Sequence, residues 1–168
     1  NAKVIRSTVD AAYFFLYIGL ESPDFFHSYT LNQMIHYVTG DILLSKAYAI
    51  AHGVAPNDPF SSGLALSLRE QWPAMYKDFR HFCQTTHPKT GSAWVWGGAE
   101  GVRIINLFTQ EAAPDHASKP GKATVEHVNH ALRELRRLMD IEKFQSLALP
   151  RLATGVGGLD WNEVKPLI

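Results

Sequence analysis

Three glycines fall within four residues in the segment Pro150-Arg151-Leu152-Ala153-Thr154-Gly155-Val156-Gly157-Gly158-Leu159, which sits between a short apolar run and an aspartate placed to open a helix. Glycines let the backbone turn through φ > 0 and approach a ligand closely. Successive N–H groups next to a helix N-terminus can then cradle an anion. A tight strand-to-helix turn without a ligand explains the same residues equally well. Two other loops carry polar groups after apolar runs. Gly40-Asp41-Ile42 offers a carboxylate for a hydrogen-bond donor, and His52 to Gly63 offers His52, Asn57, Asp58, Ser61 and Ser62.

The remaining chemical signals are weaker. The dinucleotide pattern G-x-G-x-x-G would need glycine where Asp160 stands, and the Walker pattern would need glycine at His116 before Gly121-Lys122. No G-x-S-x-G nucleophile elbow is present. His127 and His130 are three apart, and His81, Cys83 and His87 are close together, but three or four convergent zinc ligands are not apparent. No metal and no cofactor are expected, and His127 and His130 read as solvated helix histidines. Phe108 ends an apolar run, where its ring could stack on a ligand base or sugar.

These loops need a scaffold. Short apolar runs at Met34–Val38, Tyr48–Ala51, Trp94–Trp96, Val102–Phe108 and Ser146–Leu149 read as strands. Leu64, Leu68 and Trp72, then Met75, Phe79 and Phe82, recur at helical spacing, and Pro73 either kinks one helix or opens a second. Thr124 is placed to cap a helix with apolar positions Val125, Val128, Leu132, Leu135 and Met139. Asp160 and Glu163 form a capping-box pattern for a last helix starting at Trp161. Strands alternating with helices predict an α/β layered domain, whose ligands bind at the carboxyl ends of the strands.

Composition narrows the classes. The chain has 168 residues, 46% of them hydrophobic, which suits one folded domain and excludes disorder or a disulfide scaffold around the single Cys83. Sixteen basic residues balance sixteen acidic ones, which argues against a dedicated duplex-DNA binder. The apolar run Ala11–Leu20 is too short to span a membrane and is not followed by a clear signal-peptide cleavage pattern. Residues 1–33 read as an N-terminal extension and 34–168 as the domain. A monomer in the cytoplasm, with no membrane partner, is expected.

Taken in order, Tyr37-Val38-Thr39-Gly40-Asp41-Ile42-Leu43, Ala49-Ile50-Ala51-His52-Gly53, Ser62-Gly63-Leu64-Ala65, Ile105-Asn106-Leu107-Phe108-Thr109 and Ala148-Leu149-Pro150-Arg151 through Asp160-Trp161 resemble the macro domain. The similarity covers about residues 34–168 and is strongest to the branch of terminal ADP-ribose protein glycohydrolases and of antitoxin macro domains that remove ADP-ribose from DNA. It implies a three-layer α/β/α fold with a mixed central sheet, and ADP-ribose, free or attached to protein or nucleic acid, as partner. By position, Asp41 and Ile42 would meet the adenine, Ser61, Ser62 and Gly63 the distal ribose and a phosphate, and Thr154, Gly155, Val156, Gly157 and Gly158 the diphosphate. His52, Phe108, Thr109 and Leu159 complete the implied ligand set.

The resemblance departs at catalysis. Where glycohydrolases of this branch carry a nucleophilic lysine, this chain has Gln110, which cannot form that covalent intermediate. General-base activation of water is the alternative, with Asp58, Glu111 and His52 as candidate bases and Asn57 as a water-positioning group. Asp58 also reads as a turn residue in Asn57-Asp58-Pro59. Catalytic candidates are thus Asp58, Asn57 and Gln110, and the choice between an ADP-ribosyl glycohydrolase and a non-catalytic reader stays open. A third reading, an RNA- or nucleotide-binding module, requires Lys3, Arg6, Lys119, Lys122 and the arginines of the helix after Thr124 to share one face. Macro domains usually add a strand after the helix near Trp161, and the extension, through Lys3-Val4-Ile5 or Tyr13–Ile18, is expected at the sheet edge in its place.

Overall fold

The computed structural model describes residues 12–18, 33–114 and 119–168. Six strands form one mixed sheet: β1 (Ala12–Ile18), β2 (Gln33–Thr39), β3 (Ala49–Val54), β4 (Ala93–Gly97), β5 (Arg103–Phe108) and β6 (Ser146–Leu149), in the spatial order β2-β1-β6-β3-β5-β4. β3 runs parallel to both β5 and β6, β4 is antiparallel to β5, and β1 is antiparallel to β2 and β6. Ala12–Ile18 is therefore an interior strand, and β2 forms the edge. Lys3–Ile5 lies outside the described residues.

Alternation along the central strands sorts their side chains into two layers. Ala49, Ala51, Ile105, Leu107, Leu147 and Leu149 meet helix α3 (Val125–Glu142) through Val128, Ala131, Leu135 and Met139. On the other face Val54, Ile104 and Phe108 meet α1 (Gly63–Gln71) and α2 (Pro73–Thr86) through Leu68, Met75, Phe79 and Cys83. This is a three-layer α/β/α arrangement. Pro73 opens a second helix: it occupies the first position of α2, where its missing N–H costs nothing.

Local signals set the helix starts near the site. The Thr124 side chain accepts the His127 N–H at 3.1 Å and begins α3. Asp160 and Glu163 make the capping box of the short α4 (Trp161–Val164). No helix among the described residues is long and apolar enough to cross a membrane.

Candidate functional site

β2 and β6 both run antiparallel to β1, with Thr39 opposite Ala12 and Leu149 opposite Phe14, so their carboxyl ends lie at the same end of the sheet. β3 and β5 also end there, because both are parallel to the same set. The segments that begin at residues 40, 55, 109 and 150 consequently leave from one edge. The 87–92 loop enters it, since antiparallel β4 starts where β5 finishes: Gly91 N–H donates to the Phe108 carbonyl at 2.7 Å. Asp41 follows β2, two strands from β6, a lateral offset of about 10 Å.

Asp41 is exposed, and its Oδ1 accepts the Leu43 N–H at 2.9 Å, capping a 3-10 turn over Ile42–Leu44. Ile42 is buried against Ile50 and Ala148, which anchors that turn to β3 and β6. In the glycine loop, Gly158 N–H donates to Gly155 O at 3.1 Å and Leu159 N–H to Ala153 O at 3.0 Å. Those two donors close the turn. The N–H groups of Thr154, Gly155, Val156 and Gly157 meet no acceptor among the described residues. A Cβ on Gly157 would stand 2.6 Å from Ala153 O and 3.0 Å from Ala123 Cβ, so only glycine fits where this loop crosses the start of α3. Gly157 O also accepts the Ala123 N–H at 3.0 Å, locking the two segments together.

Gly53 marks the meeting point of three strand ends. A Cβ there would lie 2.6 Å from Thr109 Oγ1 and 3.1 Å from Leu152 Cδ1. Thr109 is fully buried, and its hydroxyl has no hydrogen-bond partner among the described residues. Ser61, Ser62 and Gly63 are exposed at the start of α1, with Gly63 at φ +58°.

Other expected site residues are engaged elsewhere. Phe108 is fully buried, its ring stacked against Phe79 at 6.0 Å and near Phe82, so it packs the α2 layer and does not present a face to a ligand. His52 is buried beneath the loops, bonded to Asn106 Oδ1 at 2.9 Å and edge-on to Phe60. Burial lowers its pKa from 6.5 to about 4, against the smaller upward pull of Asn106. Asp58 Oδ1 accepts the Phe60 N–H at 2.8 Å and Oδ2 the Ala55 N–H at 3.4 Å, so its carboxylate holds the turn together. Burial raises its pKa despite those two bonds. Asn57, at φ 59°, is exposed on the same turn.

Gln110 is almost completely buried. It forms a bridge with Ala123, its N–H donates to Val54 O at 3.3 Å, and its side-chain Nε2 donates to Gly121 O at 3.0 Å. Its neighbour Glu111 is exposed and stands 3.5 Å from His127 Nδ1. His127 is thus half-buried against a carboxylate, and the expectation of a solvated histidine does not hold for it. Asn57, Glu111, Lys89 and Thr90 border a cleft of about 510 Å³ between the 55–62, 87–92 and 109–112 segments. Lys89 and Thr90 were not expected at the site. They arrive through the antiparallel pairing of β4, which no local pattern announces.

The Macro domain family matches residues 61–168. The chain belongs to the macro domain family. Similar curated proteins include the DNA ADP-ribosyl glycohydrolases of Mycobacterium bovis (strain BCG / Pasteur 1173P2), 29% identical over 135 residues covering 79% of this chain and 37% of that protein, and of Thermus aquaticus (strain ATCC BAA-2747 / Y51MC23), 28% identical over 137 residues covering 80% and 37%. This macro domain therefore spans little more than a third of the length of those relatives. Similar solved structures are the macrodomain of Mycobacterium tuberculosis DarG, with a TM-score of 0.65 and 24% identity over 76% of this chain and 82% of that one, and Thermosipho africanus DarTG in complex with ADP-ribose, with a TM-score of 0.66 and 23% identity over 77% and 36%. They share the fold. The mixed sheet between two helical layers is that of a macro domain.

Proposed function

We propose that this macro domain binds ADP-ribose across the carboxyl end of its sheet and releases it from an ADP-ribosylated macromolecule, with DNA as the target class. The observation that carries this reading is the pairing of an exposed carboxylate at Asp41 with N–H groups at residues 154–157 that have no partner among the described residues, on one sheet edge. A carboxylate accepts from an adenine amino group, and bare amides hold a diphosphate. Following the strand order onward from β2 and β6, the distal ribose falls between the 55–62 and 109–112 segments, at the mouth of the 510 Å³ cleft.

Two features support DNA as the target. The similar curated proteins are named for ADP-ribosyl removal from DNA. Thr90 also borders a second cleft of about 620 Å³, lined by His130, Arg133 and Arg137. Arg137 is ion-paired with Glu134, while Arg133 is exposed and forms no ion pair among the described residues. Cations beyond the distal ribose suit a phosphodiester chain leaving it.

The buried, hydrogen-bonded Gln110 favours a second reading, a reader that binds without turnover. Release of ADP-ribose from a modified thymidine oligonucleotide, compared with glutamate- or serine-modified protein, separates the two. Binding with no release from any of the three supports the reader. In calorimetry, Asp41→Ala is expected to weaken ADP-ribose binding about tenfold, the worth of one charge-assisted hydrogen bond. An unchanged affinity would remove the adenine from that end of the site.

A further inference from the structure

We infer that Glu111, positioned by His127, is the base that activates the attacking water in this macro domain; the inference rests on the hydrolytic reading above. Gln110 supplies no nucleophile, since its amide is buried and donates to Gly121 O. The next side chain turns outward into the cleft that Asn57 borders from the opposite loop.

Glu111 is held there by its surroundings. Its N–H donates to Lys122 O at 3.3 Å, and its carbonyl accepts the Gly121 N–H at 3.0 Å. Gly121 permits this approach because a Cβ would stand 2.7 Å from Glu111 Cβ. The Thr124 cap fixes the first turn of α3 and so sets His127 beside the carboxylate. Nδ1 of His127 is buried and has no other partner among the described residues; Glu111 Oε1 lies 3.5 Å away, within ion-pair reach and long for a hydrogen bond. The Glu111 side chain is 59% exposed, open to water and to a ligand. Lys89 and His87 face it across the cleft, and Lys122 lies on the returning segment.

The chemistry balances without a covalent enzyme intermediate. The bond from the anomeric carbon to the target atom breaks, its electron pair leaves with the target, and positive charge spreads to the ring oxygen. Glu111 takes one proton from a water whose oxygen bonds to the anomeric carbon. The departing atom is then protonated from solvent or by the Glu111 carboxyl group, giving free ADP-ribose and an unmodified target. His127 touches no reacting atom in this scheme. It is a positioning residue.

The test is release of ADP-ribose from a modified thymidine oligonucleotide by the full chain, with ADP-ribose affinity measured in parallel. Glu111→Gln is expected to lower kcat about 100- to 1000-fold, the range for losing a general base, while ADP-ribose binds within about twofold of wild type. His127→Ala is expected to lower kcat about tenfold with KM unchanged, and His127→Asn, which can place an N–H near the Nδ1 position, to recover most of it. A Glu111→Gln protein within about threefold of wild-type turnover overturns the assignment while leaving the hydrolytic reading intact. Loss of ADP-ribose binding in that variant makes Glu111 a ligand contact and also overturns it. Wild type that binds ADP-ribose but releases none overturns the hydrolytic reading and this role together. Equal kcat for His127→Ala and His127→Asn removes the positioning role.

Discussion

Gly155→Glu is expected to weaken ADP-ribose binding at least about 100-fold, or about 2.7 kcal/mol, without lowering the melting temperature. Gly155 is exposed, and a Cβ built on it meets no heavy atom within 4 Å. The backbone there is not in the left-handed region, so an L side chain enters without strain. The new carboxylate would stand among the N–H groups of residues 154–157, which have no acceptor among the described residues. It would compete for them and repel the diphosphate. Two unit charges about 4 Å apart repel by about 4 kcal/mol at an effective dielectric of 20. Salt and side-chain motion reduce that figure, and a loss of two orders of magnitude survives the reduction. Calorimetry with ADP-ribose and thermal melts of the same samples check both halves. Wild-type affinity in Gly155→Glu would make the segment an ordinary strand-to-helix turn.

Much of the scaffold for this site is local and therefore legible from residues alone. Thr124, Asp160 and Glu163 announce helix starts through their own side-chain bonds, and Ser146–Leu149 is bounded by Gln145 and Pro150 at the ends it has in the fold. The glycine loop stands out by composition. Which of its glycines is needed for room and which is open is a tertiary fact: Gly157 is hemmed in by Ala123, 34 residues earlier in the chain, while Gly155 is not. Phe108 shows a related limit. Alternation places Ile104 and Phe108 on one face of β5, but only the packing of α2 shows that this face is covered to its end. The Glu111–His127 contact and the arrival of Lys89 depend on a helix cap and an antiparallel strand acting across the fold. Spacing along the chain carries no signal for either.

Acidification from pH 6.5 to pH 4 is expected to remove about 3 kcal/mol of stability through His52 alone. Its imidazole is buried and held neutral, with a pKa lowered from 6.5 to about 4, chiefly because burial penalises the charged form. An unfolded chain binds a proton at this residue near pH 6.5, and the folded chain does so only near pH 4. Between those values the unfolded state holds more protons, so stability falls as pH falls. Above 6.5 and below 4 the contribution is flat. Asp58 works in the opposite sense, because its raised pKa lets the folded state take up a proton before the unfolded one. His52→Gln keeps a donor for Asn106 Oδ1 and removes the titration, so its melting temperature should change less across this window than that of wild type. For a domain of this size the wild-type excess corresponds to roughly 6–12 °C. Parallel melting curves for the two proteins would mean that the imidazole reaches solvent.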